Sequence, residues 1–203
     1  MPWWYWTIGI WLGLPLLLFL LWIFGQILGP LMRFKSCAIV KKDMLIDFSD
    51  DERILKIPFL FLTHLSVPKN NYGPRNFFYD AKFAFILATL WRPLACIAFD
   101  VYPRSGRICI RQIQGKGGVK SKLSLFRWEK FLVFCVLEYA RKNGFKEVFI
   151  QAAKANRWKE KNAQSLAEIS ERSERLKKRY DVTAKRMGFK PDANKCHYVK
   201  LLA

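Results

Sequence analysis

The first 32 residues of this chain contain no charged side chain, and the rest of the chain carries the whole formal net charge of +19. A helix needs roughly 20 apolar residues to cross a bilayer core about 30 Å thick. Residues 3–32 exceed that length, so they can span a membrane with some tilt. The sequence therefore predicts a transmembrane anchor at residues 1–34, followed by one folded domain at residues 35–203.

The charges that flank the anchor predict its orientation. No basic side chain precedes the apolar run, whereas Arg33, Lys35, Lys41 and Lys42 follow it closely. Cytoplasmic flanks of membrane helices are enriched in Lys and Arg, so we expect a single-pass protein with its N-terminus outside and its domain in the cytoplasm. A cleaved signal peptide is the alternative, but the sequence has neither a basic leading region nor a small-residue cleavage site.

The composition of the domain limits its partners and its chemistry. Its basic character favours anionic partners, namely anionic lipid headgroups, nucleic acid or a small ligand rich in phosphate. The five cysteines show no CxxC spacing and lie mostly in apolar stretches, which indicates buried free thiols in a reducing compartment. With only two histidines and no ligand motif, no metal site is expected.

The pattern along the domain predicts an α/β fold. Three β-like runs with short links favour an antiparallel meander, and a helix that is apolar on every face follows it. Cap-type residues at 49–52 also precede a mostly apolar run that Pro58 interrupts. The predicted strands are residues 36–47 (a strand or hairpin), 82–90, 94–102, 107–114, 146–152 and 197–202, and the predicted helices are residues 125–143 and 159–187.

A glycine-rich basic loop, GKGGVKSK at residues 115–122, joins the meander to the buried helix. Backbone amides of such a loop can bind phosphate. A flexible loop with solvated lysines is the plain alternative. A nucleotide-binding P-loop is a second one, but Val119 stands where that motif needs a glycine before its lysine.

The segment QIQGKG at residues 112–117 fits the Q/R-x-x-G-x-G/A pattern of the GNAT acetyltransferase superfamily, which the chain resembles over residues 37–202. The order of elements is similar too. The resemblance implies a mixed central sheet flanked by helices, with acetyl-CoA or another acyl-CoA as co-substrate. It implies cofactor contacts for six residues of the motif and loop: Gln112, Gly115, Lys116, Gly117, Gly118 and Lys120.

The catalytic residues that the resemblance implies match less closely. Family members carry a tyrosine four residues before the glycine that ends their late helix, and Ala184 occupies that position here. Tyr180, one turn earlier on the same face, is the replacement general acid that we predict. Asp100 on a neighbouring strand is the candidate general base, although it could equally be a turn or edge residue.

Two functions therefore remain open from the sequence. The first is a membrane-anchored, acyl-CoA-dependent N-acyltransferase whose acceptor amine is unknown. The second is a non-catalytic GNAT-fold basic module that binds anionic lipid or nucleic acid at the membrane. Trp128 and Trp158 lie among basic residues and could stack on bases. The intact motif favours the first function, and the displaced tyrosine favours the second.

Overall fold

The computed structural model describes residues 36–41, 45, 47–49, 60–89, 92–156, 158 and 164–202. Within that part of the chain, no helix combines the length and the apolar character needed to cross a bilayer. The predicted anchor at residues 1–34 lies outside the described residues, so the anchor and its orientation stay predictions.

Within the described residues, the domain is built on an eight-stranded mixed sheet, which confirms the predicted α/β class. The described strands are β1 Ser36–Ile39, β2 Leu60–Ser66, β3 Asn71–Tyr72, β4 Phe78–Tyr79, β5 Phe83–Thr89, β6 Pro93–Tyr102, β7 Arg107–Gly115, β8 Glu147–Gln151, β9 Lys190–Pro191 and β10 His197–Leu201. Their spatial order in the sheet is β1-β2-β5-β6-β7-β8-β10-β9, and among these described pairs β7–β8 alone is parallel. A two-stranded sheet, β3-β4, lies beside it.

The predicted antiparallel meander is confirmed as β5-β6-β7. Strands β5 and β6 are apolar along nearly their whole length because both of their faces are buried. The run that follows the cap-type residues lies outside the described residues as far as residue 59, and Leu60–Ser66, for which the sequence predicted no element, forms a strand. Pairing with β1 on one side and β5 on the other uses its backbone groups in the ladder.

Among the described residues, one short helix and two longer helical segments pack near the sheet. The short helix α1 spans Lys120–Leu123, and the buried helix α2 spans Trp128–Lys142. A longer segment consists of α3 (Leu166–Lys177), a π-helical turn (Lys178–Val182) and α4 (Thr183–Arg186). The predicted start of this segment, residues 159–163, lies outside the described residues.

Helix α2 begins three residues later than the sequence predicted. The buried ring of Phe126 packs at 6.4 Å from the ring of Phe131, and the amide of Arg127 donates to the carbonyl of Phe48. These contacts hold the preceding residues in a turn rather than in the helix. The helix ends as predicted, before Gly144, whose φ of +71° belongs to the left-handed region that favours glycine.

The sheet has a hydrophobic core on each face. The larger core joins the sheet to α2, the π-helical turn and α4, and it contains Ile110, Ile113 and Tyr180. The smaller core lies under residues 67–81 and contains Phe77, Tyr79 and Cys96. Cys96, Cys109 and Cys135 are buried free thiols, as the sequence predicted for most of the cysteines.

Candidate functional site

Strands β7 and β8 pair at one end and then separate. Their parallel register runs only from Arg107 opposite Glu147 to Ile110 opposite Ile150. Beyond Ile110, β7 continues to Gly115 paired with β6 but not with β8. The cause is a bulge: β6 pairs Ala98 with Gln112 and Phe99 with Ile110, which leaves Arg111 as an extra residue. A bulge bends its strand and increases its twist, so a cleft opens between the two strands.

This cleft contains a cavity of about 360 Å³. That volume falls within the range of small-molecule binding sites. Residues from β7, from the stretch after β8 and from the segment of α3 and the π-helical turn line it. They include Ile113, Gln114, Trp158, Arg175, Arg179 and Tyr180.

Both backbone polar groups of Ile113 face the cleft and find side-chain partners there. Its amide donates a hydrogen bond to the Tyr180 hydroxyl at 2.9 Å, and its carbonyl accepts one from Nη1 of Arg179 at 3.5 Å. A continuing β8 would otherwise satisfy such groups. The cleft therefore presents strand backbone to the cavity.

Tyr180 lies in the π-helical turn with its side chain fully buried. Its hydroxyl accepts from Ile113 and keeps its own proton for donation. Burial raises the pKa of Tyr180 to about 12, although the hydrogen bond from Ile113 and the charge of Arg179 both act to lower that pKa. The hydroxyl therefore stays protonated at neutral pH, as a general acid or hydrogen-bond donor requires.

Three arginines give the cavity a basic wall. Arg172, Arg175 and Arg179 recur at the spacing of one helical face and all line the cavity. The guanidinium carbon of Arg179 lies 5.4 Å from the centroid of the Trp128 ring. The buried Nε of Arg179 has no hydrogen-bond partner among the described residues.

A second depression of about 420 Å³ continues this basic wall toward the start of α2. Arg175 and Arg179 line both spaces, so the two adjoin. Its other basic residues are Arg127, Lys130, Lys178 and Arg186. Burial raises the pKa of Glu129, the acid in this lining. The continuous surface can attract a ligand that carries several negative charges.

The glycine-rich loop lies against the same structure. A Cβ at Gly115 would stand 3.0 Å from Leu123 and 3.3 Å from Trp128, so a side chain there would require these two neighbours to shift by a few tenths of an ångström. Gly118 has a φ of +76°, whereas Gly117 has open space around it. Glycine is thus favoured at two of the three positions, and the third leaves the backbone open to a ligand.

Lys116 does not point along the loop. Its ammonium donates to the carbonyl of Asn76 at 2.9 Å and lies 5.4 Å from the centroid of the Phe77 ring. Lys120 is the first residue of α1, and its side chain is outside what the structure describes. The phosphate contacts expected of these two lysines stay predictions.

Gln112 lines the cavity and also organises the neighbouring hairpin. Its buried carboxamide donates to the Phe78 carbonyl at 2.7 Å and to Oε1 of Gln114 at 2.6 Å. Its Oε1 accepts the amide of Asp80 at 3.2 Å. Gln112 therefore fixes the position of Asp80 relative to β7.

Asp100 is buried on β6 and is not part of the cavity wall. Its carboxylate lies 3.3 Å from the Lys69 ammonium and 3.5 Å from Nε of Arg111, and it accepts the Lys82 amide at 3.0 Å. The structure thus brings Gln112 and Tyr180 to the cavity and leaves Asp100 in a separate ion-pair cluster. Its predicted role as general base stays a prediction.

Trp128 and Trp158, the two tryptophans singled out in the sequence, have structural partners. Trp128 is buried beneath Arg179, and the indole of Trp158 donates to Oδ2 of Asp80 at 2.9 Å. The sequence reasoning overlooked Arg172, Arg175, Arg179 and Asp80. The signal that could have identified the arginines is their spacing, which places all three on one face of a helix. No group of three metal-ligand residues occurs in the described ranges.

Neither a protein-family profile nor a curated protein matches this sequence. Among solved structures, Ard1 from Thermoplasma volcanium is similar at a TM-score of 0.36 and 9% identity, covering 83% of this chain and 97% of that one. A probable GNAT-family acetyltransferase from Chromobacterium violaceum is similar at a TM-score of 0.35 and 13% identity, covering 82% of this chain and 86% of that one.

A third similar structure is N-acetylglutamate synthase from Neisseria gonorrhoeae, complexed with coenzyme A and N-acetyl-glutamate. Its TM-score is 0.33 and its identity 12%, over 59% of this chain and only 26% of that protein, so this chain spans about a quarter of its length. At TM-scores this low, the likenesses carry no weight for the site, whose assignment depends on its own geometry.

Proposed function

We propose that this protein is an acyl-CoA-dependent N-acyltransferase, with acetyl-CoA or another acyl-CoA as co-substrate. The observation that supports it is the β7–β8 cleft, where strand backbone that β8 does not cover, a protonated buried tyrosine and a basic wall meet in one cavity. The Q-x-x-G-x-G motif lies along the same strand and enters the glycine loop.

The residues of the cleft fit the parts of an acyl-CoA molecule. Its extended arm contains amide groups, which can pair with the edge of β7 around Ile113 in place of the Tyr180 and Arg179 side chains, as a further strand does. Its phosphates suit the open backbone at Gly117 and the basic wall formed by Arg175 and Arg179. The thioester supplies an acyl group activated for transfer to an amine.

The chain's own groups have clear roles in such a transfer. As the amine nitrogen bonds to the acyl carbon, negative charge develops on the acyl oxygen, and the Ile113 amide can stabilise it once it donates to the ligand instead of to Tyr180. When the carbon–sulfur bond breaks, the sulfur takes the electron pair, and Tyr180 can donate its proton to the thiolate. The proton lost by the amine leaves to water or to a nearby carboxylate.

We also propose that residues 3–32 hold the domain at the cytoplasmic face of a membrane. The charge-free segment and the basic residues after it support this placement. The acceptor would then be a molecule at or near the membrane. Contacts between the basic domain and anionic headgroups would add to the attachment.

The test is calorimetric titration of acetyl-CoA into the whole 203-residue chain in detergent micelles. Gly117→Ala and Gly117→Val form a graded pair, because the position has open space and tolerates a side chain without strain in the fold. We expect micromolar binding to the unmodified chain, weaker binding to the alanine variant and none to the valine variant, at unchanged thermal stability.

Absence of binding to the unmodified chain would overturn the proposal. Salt-sensitive binding to anionic vesicles or RNA, in the same preparation, would then favour the non-catalytic basic module.

A further inference from the structure

A third space, a cavity of about 680 Å³, adjoins the cleft on the side of residues 69–80. Asn156 and Trp158 line both cavities, so the two share a wall. The other residues that matter here are Lys69, Asp80 and Arg111. None of these three has a role in the proposed binding of acyl-CoA.

One side of this cavity carries an excess of positive charge. Lys69 and Arg111 both pair with the same buried carboxylate, that of Asp100, at 3.3 and 3.5 Å. One carboxylate neutralises only one of two cations. The side chains of Lys69 and Arg111 are 42% and 33% exposed, so they can accept a further anionic partner from the cavity.

Asp80 places a negative charge at another point of the same lining. Its Oδ2 accepts a hydrogen bond from the neutral indole of Trp158 at 2.9 Å. Among the described residues, no cation forms an ion pair with its carboxylate. A cavity whose lining separates a net positive and a net negative charge complements a ligand that carries both charges.

We infer that this cavity binds the acceptor, and that the acceptor is a primary amine with its own carboxylate or phosphate group. The ammonium group binds at Asp80, and the anionic group binds at Lys69 and Arg111. Free amino acids and phosphoethanolamine headgroups share this chemistry. The assignment as acceptor depends on the proposed function, whereas binding of the amine can be measured without it.

The position of Asp80 places the ammonium beside the strand that forms the cleft. Its backbone amide donates to Gln112, the residue before Ile113, and its carboxylate holds Trp158 in the shared wall. An amine at Asp80 thus lies next to the wall of the cleft, close to where the acyl group would lie.

The experiment is ligand-observed NMR titration of three small amines into the whole chain in micelles, without acyl-CoA. β-Alanine has an amine and a carboxylate, O-phosphoethanolamine has an amine and a phosphate, and ethanolamine has the amine alone. We expect at least one of the first two to bind on the order of tenfold more tightly than ethanolamine, because an added charge-assisted contact contributes that much. Preference for the phosphate probe would indicate a headgroup-like source, and preference for the carboxylate probe an amino acid.

Two variants test separately the residue that binds the ammonium group and a residue that binds the anionic group. Asp80→Asn removes the charge but keeps an oxygen for Trp158, so it should weaken all three amines on the order of tenfold. Lys69→Gln leaves Arg111 to hold Asp100, so it should weaken only the two probes that carry an anionic group. Glu138→Gln and Lys142→Gln, at a half-buried and an exposed position of α2 outside this cavity, are the matched controls.

Equal affinity for ethanolamine and for the two probes that carry an anionic group would overturn the inference. Unweakened binding of the three amines to Asp80→Asn would overturn it too. A chain that binds acetyl-CoA but none of the amines would contradict this inference alone. A chain that binds the amines but not acetyl-CoA would contradict the proposed function alone.

Discussion

The hydroxyl of Tyr180 accepts a hydrogen bond from the amide of Ile113 at 2.9 Å, between residues 67 positions apart in the chain. The two halves of this contact have separate causes. The Arg111 bulge turns β7 away from β8 and leaves the amide without a strand partner. The π-helical turn carries the buried tyrosine that satisfies it. The contact therefore marks the place where the fold opens its sheet to a ligand.

Tyr180→Phe removes a proton donor from the cleft and leaves a buried amide unpaired. With acetyl-CoA and an acceptor amine, we expect kcat to fall on the order of a hundredfold at nearly unchanged acetyl-CoA affinity, since acid–base groups contribute at least that much. The free energy of unfolding should fall by about 1–3 kcal/mol. Tyr72→Phe, at an exposed tyrosine, is the control, and equal kcat in the two variants would exclude Tyr180 as the acid.

The raised pKa of Tyr180 also predicts how stability depends on alkaline pH. The folded-state pKa is about 12 and the ordinary value is 10.0. Below pH 10 the tyrosine is therefore protonated in both the folded and the unfolded state, and its contribution to the free energy of unfolding is fully present. Between pH 10 and 12 the unfolded state alone loses the proton, so stability falls by roughly 2–3 kcal/mol.

Tyr180→Phe should remove this part of the alkaline slope, and Tyr72→Phe should retain it. Denaturant unfolding at pH 8, 10 and 11.5 measures the difference. Parallel stability curves for Tyr180→Phe and the unmodified chain would contradict the assigned burial effect.

Arg175, which pairs with Glu171 at 2.6 Å, lines both the cleft and the depression beside α2, as Arg179 does, so it is placed to act on a charged ligand along its length. Arg175→Gln should weaken acetyl-CoA binding about tenfold at low salt. The salt dependence of the affinity should also decrease, because one screened attraction is lost. Arg104→Gln, in the exposed turn between β6 and β7, should change neither quantity. Equal losses in both variants would indicate a general charge effect.

Asp100→Asn distinguishes an ion-pair centre from a general base. Lys69, Arg111 and the Lys82 amide all engage this carboxylate, so we expect the variant to lose about 2 kcal/mol of stability. Turnover per folded molecule should change little. A stable variant with abolished turnover would instead support Asp100 as the base that the sequence suggested.

Part of the fold could be predicted from the sequence because the relevant signals are local. Short links and β-rich runs identified the β5-β6-β7 meander, and the all-round apolar helix identified α2. The strand Leu60–Ser66 was missed because its partners, β1 and β5, are distant in sequence. Only pairing decides whether such a short apolar run becomes a strand.

The candidate site, too, could be predicted from the sequence only in part. Gln112 and Tyr180 were found through a motif and a helical spacing, and both lie at the cavity. The Arg111 bulge leaves no local signal, since it is a difference in register between two strands. Lys116 points toward Asn76, 40 residues away in the chain, and no pattern in the loop indicates that contact.

The most direct test of the account is the amide resonance of Ile113 in the isotope-labelled chain during titration with acetyl-CoA. If the co-substrate lies along β7, the Ile113 resonance must shift with the same affinity that calorimetry gives, because the amide or its Tyr180 partner contacts the ligand. Binding that leaves Ile113 unshifted would place acyl-CoA elsewhere, and absence of binding would contradict the acyltransferase account itself.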